Sequence, residues 1–150
     1  MPARLPEPSS NQNAIAAVKQ IYDELNSRPI ERNCQLNTGC CRFQITGKIP
    51  HLTKGEAFVA AQALRATGRK SLPEPADGAC PLLDRRTSRC LIYQSRPFGC
   101  RTHFCAAAGG PYHRSAVVDL VHRLDTIDAN LGGDGARELA KSISDALRDI

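Results

Sequence analysis

The sequence predicts a mainly α protein: a small helical domain of about four helices around an irregular cysteine-rich centre, with a short β-hairpin. Three observations carry that prediction. Apolar residues recur at helical spacing on both sides of a central stretch, so the helices are expected there. Seven cysteines, Cys34, Cys40, Cys41, Cys80, Cys90, Cys100 and Cys105, are confined to the central stretch, among Gly, Pro and Asn turn signals. Within it, Leu82-Leu83 and Leu91–Tyr93 flank the polar DRRTSR, the pattern of two short strands and a turn that presents Cys80 and Cys90 near one another. A chain of 150 residues makes one domain and buries roughly two-thirds of its unfolded surface. Only 5% of it is aromatic and none is Trp, so the core must rest on Leu, Ile, Val and Ala.

Each element has its own local reason. Residues 1–12, with Pro2, Pro6 and Pro8, are expected to form a flexible tail, which leaves 13–150 as a single cysteine-cluster domain. Asn13 can cap a helix over about 14–26 whose one face carries Ile15, Val18, Ile21, Tyr22 and Leu25. The turn-rich NCQLNTGCC follows, and then Arg42–Thr46 alternates like a short strand. Thr53 and Glu56 form a T-x-x-E capping box ahead of a helix over Ala57–Ala66, which Gly68 ends. Residues 69–79, with two prolines and Asp77-Gly78, make a connector. Pro111 suits the first turn of a long helix that ends near Gly132 and carries an apolar stripe of Val117, Leu120, Val121, Leu124, Ile127 and Leu131. A last helix over about 135–149 aligns Leu139, Ile143 and Leu147.

The cysteines point to metal. The leading MPARLPEPSSNQNA has no apolar core of a secretion signal, and nothing approaches the roughly 18 apolar residues of a membrane span, so the chain is expected in the cytoplasm and off the membrane. Thiols stay reduced there, the cysteine count is odd, and Cys40 and Cys41 are adjacent. Paired disulfides are therefore the weaker account, and scattered buried or redox cysteines the next. Thiolate sulfur suits zinc and iron, an iron–sulfur cluster included, and the spacings do not choose between them. Adjacent Cα atoms lie about 3.8 Å apart and extended neighbours diverge, so Cys40 and Cys41 more readily reach two metals, or a metal and the core, than one ion. His103, between Cys100 and Cys105, is the best candidate to complete a Cys3His set, against the plainer reading of a half-exposed loop histidine. His51, His113 and His122 read as surface or helix residues.

The formal charge of +5 invites a nucleic-acid reading, with Arg85, Arg86, Arg89, Arg96, Arg101 and Arg114 in or beside the cysteine segment. A tetrathiolate zinc site carries a charge of about −2, however, so guanidinium groups facing it would stabilise it. Arg96 and Arg101 are the candidates for that cofactor-facing role, with Arg96-Pro97 also expected to lock the turn before Cys100 through backbone carbonyls or a sulfur. No basic run or arginine–aromatic interleaving appears, which disfavours nucleic acid as a partner and leaves an unidentified protein partner open.

The segment CQLNTGCC at 34–41 keeps the spacing of a Cys-x2-Cys-x2-Cys-Cys motif, with Asn37 in the place of its second cysteine. Downstream stand Cys80-Pro81-Leu82-Leu83-Asp84 and CLIYQSRPFGCR at 90–101. Together they resemble the YkgJ-type cysteine cluster family, a zinc- or iron-chelating domain that also takes in the flagellin lysine N-methylases. The resemblance implies chelation of zinc or iron by Cys34, Cys40, Cys41, Cys80, Cys90 and Cys100, with Cys105 an addition. It implies less about activity. The leading expectation is a cytoplasmic metal-binding protein. A structural zinc module that docks a protein or nucleic acid is the first alternative, because closed zinc sites usually stabilise a fold without reacting. A cluster-assisted protein-lysine methyltransferase is the second, and it is set back by the short chain and the absence of a Gly-rich cofactor loop.

Overall fold

The computed structural model describes residues 10–28, 49–73, 79–84, 86–87, 89–102 and 112–150. Their order is α1 (Ser10–Ser27), β1 (His51–Leu52), α2 (Lys54–Ala66), β2 (Leu83–Asp84), β3 (Arg89–Cys90), a 3-10 turn (Tyr93–Ser95), α3 (Phe98–Thr102), α4 (Arg114–Asn130), β4 (Arg137–Glu138) and α5 (Leu139–Asp149). The fold is mainly helical with a short antiparallel hairpin, as expected. Asn37, Cys34, Cys40, Cys41, the expected strand over 42–46, Asp77-Gly78, His103, Cys105 and Pro111 lie outside the described residues.

Helix α2 is the centre of the scaffold. Its Ala57, Phe58, Val59, Ala60, Ala61 and Leu64 are buried on several sides, so it must be covered by more than one neighbour, and it packs against α1, α4 and α5. Small residues let those neighbours approach. A Cβ on Gly55 would meet Ile127 Cγ2 and Val18 Cγ2 at 2.9 Å, so α1, α2 and α4 approach closely at this glycine. The outer helices contribute Ile15, Val18, Ile21, Tyr22 and Leu25 from α1; Val117, Leu120 and Leu124 from α4, whose expected Val121, Ile127 and Leu131 are only partly buried against the core; and Leu139, Ile143 and Leu147 from α5.

The ends of α2 are closed by side chains. At its start the capping box forms, with the Thr53 N–H and hydroxyl each donating to Glu56 Oε2 at 3.0 Å. Asp128, buried near the end of α4, accepts from Lys54 N–H at 2.7 Å and from Gly135 N–H at 2.9 Å. At its far end Thr67 caps, Gly68 takes φ +89°, and Arg65 donates to the Leu147 carbonyl of α5 at 2.8 Å. Gly68 thus ends the helix as the sequence predicts.

Helix α2 begins at Lys54, directly after its Thr53 cap and ahead of the expected Ala57, and three other helix boundaries differ from expectation. Helix α1 begins at Ser10, ahead of the expected cap at Asn13 and inside the expected tail. Helix α4 begins at Arg114 with His113 as its cap. Helix α5 begins at Leu139 and not near 135, because Gly135 holds φ +113° and Arg137–Glu138 pair antiparallel with His51–Leu52, in the register His51↔Glu138 and Leu52↔Arg137. Leu139 N–H extends that ladder to the Pro50 carbonyl at 3.0 Å.

Candidate metal centre

The cysteine-bearing stretch 79–102 is built outward from its apolar residues. Leu82, Leu83 and Ile92 are buried in the shared core, which leaves the intervening polar residues to turn back at the surface. Leu83 pairs with Cys90 and Asp84 with Arg89, while Leu91 N–H donates to the Leu82 carbonyl at 2.7 Å. The expected hairpin is therefore present, but its strands, Leu83–Asp84 and Arg89–Cys90, reach into the polar stretch, and Leu91–Tyr93 is turn and 3-10 backbone instead of the second strand. Its tip is set by Asp84, whose Oδ1 accepts from Arg86 N–H at 2.9 Å; that bond, before all else, holds the Asp84 carboxyl below its ordinary range. Cys80 precedes the first strand by one turn, its carbonyl accepting from Leu83 N–H at 3.0 Å. Its side chain is buried beside the core, whereas Cys90 and Cys100 are half-buried.

Beyond Cys90 the chain enters the 3-10 turn and then α3, a five-residue helix that carries Cys100. Pro97 stands immediately ahead of it, fully buried, and its carbonyl accepts from both Cys100 and Arg101 N–H groups at 3.0 and 3.1 Å. Two arginines fasten this turn. Arg96 Nη1 donates to the Tyr93 carbonyl at 3.0 Å while its guanidinium lies 4.1 Å from the centre of the Tyr93 ring. Arg101 is only 5% exposed and folds back to donate from Nε to the Arg96 carbonyl at 2.8 Å and from Nη2 to the Gln94 carbonyl at 2.6 Å. The expected locking of the turn through backbone carbonyls is what Arg96 does, and Arg101 does it twice.

The same segment is tied to the scaffold by a buried carboxylate. Glu56 Oε1 accepts from Phe98 N–H, the start of α3, at 2.7 Å, and from the Tyr22 hydroxyl of α1 at 3.1 Å. The face of the Tyr22 ring carries the Arg101 guanidinium at 4.2 Å. Burial pushes the Glu56 carboxyl above its ordinary value, opposed by the N–H groups of Phe98 and Thr53 and the hydroxyls of Thr53 and Tyr22. Burial also pushes the Tyr22 phenol well up, with the neighbouring Glu56 charge adding to it. The Arg101 guanidinium is lowered by burial first and by Arg96 second, opposed by Tyr22, Asp23 and Cys100.

Of the predicted site residues, Cys80, Cys90, Cys100, Arg96 and Arg101 fall in this one stretch. Among the described residues, no three His, Cys, Asp or Glu side chains gather as a metal group, so a complete ligand set needs donors from beyond them. The Tyr112 N–H donates to the Thr102 carbonyl at 2.9 Å, and His103 and Cys105 lie outside the described residues. His51, His113 and His122 are exposed, as the sequence suggests. A cavity of about 160 Å³ lies elsewhere, lined by Lys54, Phe58, Asp128, Arg137, Ser142 and Asp149 among others, and none of the described cysteines, Cys80, Cys90 and Cys100, borders it.

The supporting roles of Glu56 and Tyr22 are absent from the sequence reading, which gave Glu56 only its cap and Tyr22 only its core face. One signal could have exposed the first: a carboxylate beside an unbroken apolar run, where a lone charge is costly unless several donors meet it.

The family model described as "CxxCxxCC: Putative zinc- or iron-chelating domain" matches residues 31–118. The chain belongs to the CxxCxxCC family. The CxxCxxCC match exceeds half of the chain and takes in all seven cysteines together with Glu56, Arg96 and Arg101. Zinc or iron, the cofactor class of CxxCxxCC domains, is the class expected from a thiolate set. No curated protein and no solved structure matches the chain. Among the described residues, no helix is long and apolar enough to cross a membrane.

Proposed function

We propose that this chain is a cytoplasmic metal-binding protein that holds zinc or iron on its cysteine thiolates. The ligands are drawn from Cys34, Cys40, Cys41, Cys80, Cys90, Cys100 and Cys105, with His103 as a nitrogen donor. The observation that supports this best is the treatment of Cys90 and Cys100. Both are half-buried on a hairpin and a short helix joined by a turn that Arg96 and Arg101 hold shut. A ligand needs that combination of a fixed backbone and a reachable sulfur. Cys80 is buried among apolar side chains and also packs as a small apolar residue of the core.

Bound zinc would cross-link the segments; bound iron, alone or as an iron–sulfur cluster, would add redox chemistry. The contribution of this chain is to supply anionic sulfur, to bring Arg101 beside Cys100, and to keep the turn from moving. Anaerobic purification followed by metal, acid-labile sulfide and visible-absorption measurements tests the reading. Brown protein with sulfide selects a cluster, and colourless protein with zinc selects a zinc site. Protein with neither metal, unable to take either up after reduction, defeats the proposal.

A further inference from the structure

We propose that Glu56 is a positioning residue for the metal centre, holding the Cys100 turn in place through Phe98 N–H and through Tyr22, on whose ring Arg101 rests. The inference rests on the chelation reading above and deepens it by naming a residue that is not a thiol. A capping box requires only that Glu56 reach back to Thr53, and Oε2 alone does so, at 3.0 Å. Oε1 is spent entirely away from its own helix, on α1 through Tyr22 and on α3 through Phe98. Four donors from three parts of the chain thus fill the acceptor sites of one buried carboxylate, which is 3% exposed.

The connections close on themselves. Glu56 holds Tyr22, the Tyr22 ring carries Arg101, Arg101 binds the carbonyls of Gln94 and Arg96, and the chain returns through Pro97 to Phe98 and Glu56. Cys100 lies on the short helix between two members of that circuit, Phe98 and Arg101. Any movement of the Cys100 backbone relative to α1 and α2 must break one of these bonds. A ring of this kind fixes where a sulfur stands in the way that hydrogen bonds behind a metal ligand do elsewhere, and losing such a partner typically lowers metal affinity about 10- to 100-fold.

The test uses the full chain loaded with zinc, with affinity measured by chelator competition and the alkylation rate of each cysteine read by peptide mass spectrometry. Tyr22→Phe removes one hydroxyl and keeps the ring under Arg101; Glu56→Gln places an amide N–H2 against donors. Leu147→Ala, on α5 and remote from the turn, supplies a control destabilised by other means. Glu56→Gln is expected to lose about 10- to 100-fold in zinc affinity. Tyr22→Phe should lose less, and in both Cys100 should be alkylated faster relative to Cys80 than in the parent. Leu147→Ala should keep the parent's affinity and its alkylation ratio. Should Glu56→Gln not fold, Tyr22→Phe decides alone. Parent-like affinity and ratio in Tyr22→Phe, or losses that Leu147→Ala reproduces at equal melting temperature, overturn the positioning role while leaving chelation intact. A parent chain that binds neither zinc nor iron overturns chelation itself, and the positioning role with it.

Discussion

A methyl group added at Gly133 would collide with the Asp128 carboxylate. That carboxylate, 3% exposed, receives Lys54 N–H and Gly135 N–H, so displacing it leaves buried donors without their acceptor. Gly133→Ala should therefore cost about 1–3 kcal/mol in urea unfolding, whereas Gly99→Ala, with nothing near its added methyl, should be neutral or mildly stabilising. Equal stabilities would show that Asp128 is not a fixed pin. At the cysteines the expected order is set by the string CLIYQSRPFGCR. Cys90→Ser and Cys100→Ser should each lose more metal than Cys105→Ser, since a hydroxyl is a poor substitute for thiolate, and metal analysis of the three purified variants checks it. Residue-scale chemistry was unevenly readable in advance. The pairing of Thr53 with Glu56 could be read because the partners are three positions apart. The partners on Oε1, 34 and 42 residues away, could not, since nothing in a linear spacing records which hydroxyl or amide arrives from another helix.

Between elements, α1 and α4 are stapled by charge. Arg28, just past α1, donates from Nη1 and Nη2 to the Asp119 carboxylate at 2.9 and 2.5 Å and reaches the Ala116 carbonyl at 2.7 Å, while Arg123 of α4 pairs with Glu24 of α1. The hydrogen bonds from Arg28, and its charge, hold the Asp119 carboxyl down to about 2 from an ordinary 3.8. A lowered folded-state value means that the staple contributes in full above the ordinary value and is lost as pH falls through about 2. Thermal melts of the parent and Asp119→Asn should thus converge as pH drops from 5 to 2, and should not separate further between pH 5 and 7. A gap that stays constant down to pH 2 would refute the pairing. Asp119 is exposed, so added salt should narrow the gap as well. Helices were readable at this scale because each carries its own apolar period. The β1–β4 pair was not: two residues against two have no period, and Arg137–Glu138 looked like the first turn of the helix they precede.

At the scale of the molecule, α1, α2, α4 and α5 share an apolar core, and Cys80, Leu82, Ile92 and Phe98 of the cysteine-bearing stretch belong to it, with Cys90 packed at its edge. Removing metal with a strong chelator should leave the signal of those helices in circular dichroism largely in place. Hydrogen exchange should rise selectively over 79–102, because ligand binding and local order are coupled there. Uniform unfolding on stripping, or unchanged exchange in that stretch, would contradict this division. The mainly helical class could be read from composition and period together, while the arrangement of α2 among its three neighbours depended on approaches such as Gly55 to Val18 and Ile127, which a sequence does not display. The pinning of α2 also has a consequence for the order in which the chain is made. Its first N–H waits for Asp128, 74 positions later, and Arg65 near its end waits for Leu147, 82 positions later. A chain emerging from the ribosome exposes every cysteine before either partner has emerged. The thiols must therefore survive oxidation, or find a first metal, on a nascent polypeptide whose central helix has only its local caps and neither of these long-range pins.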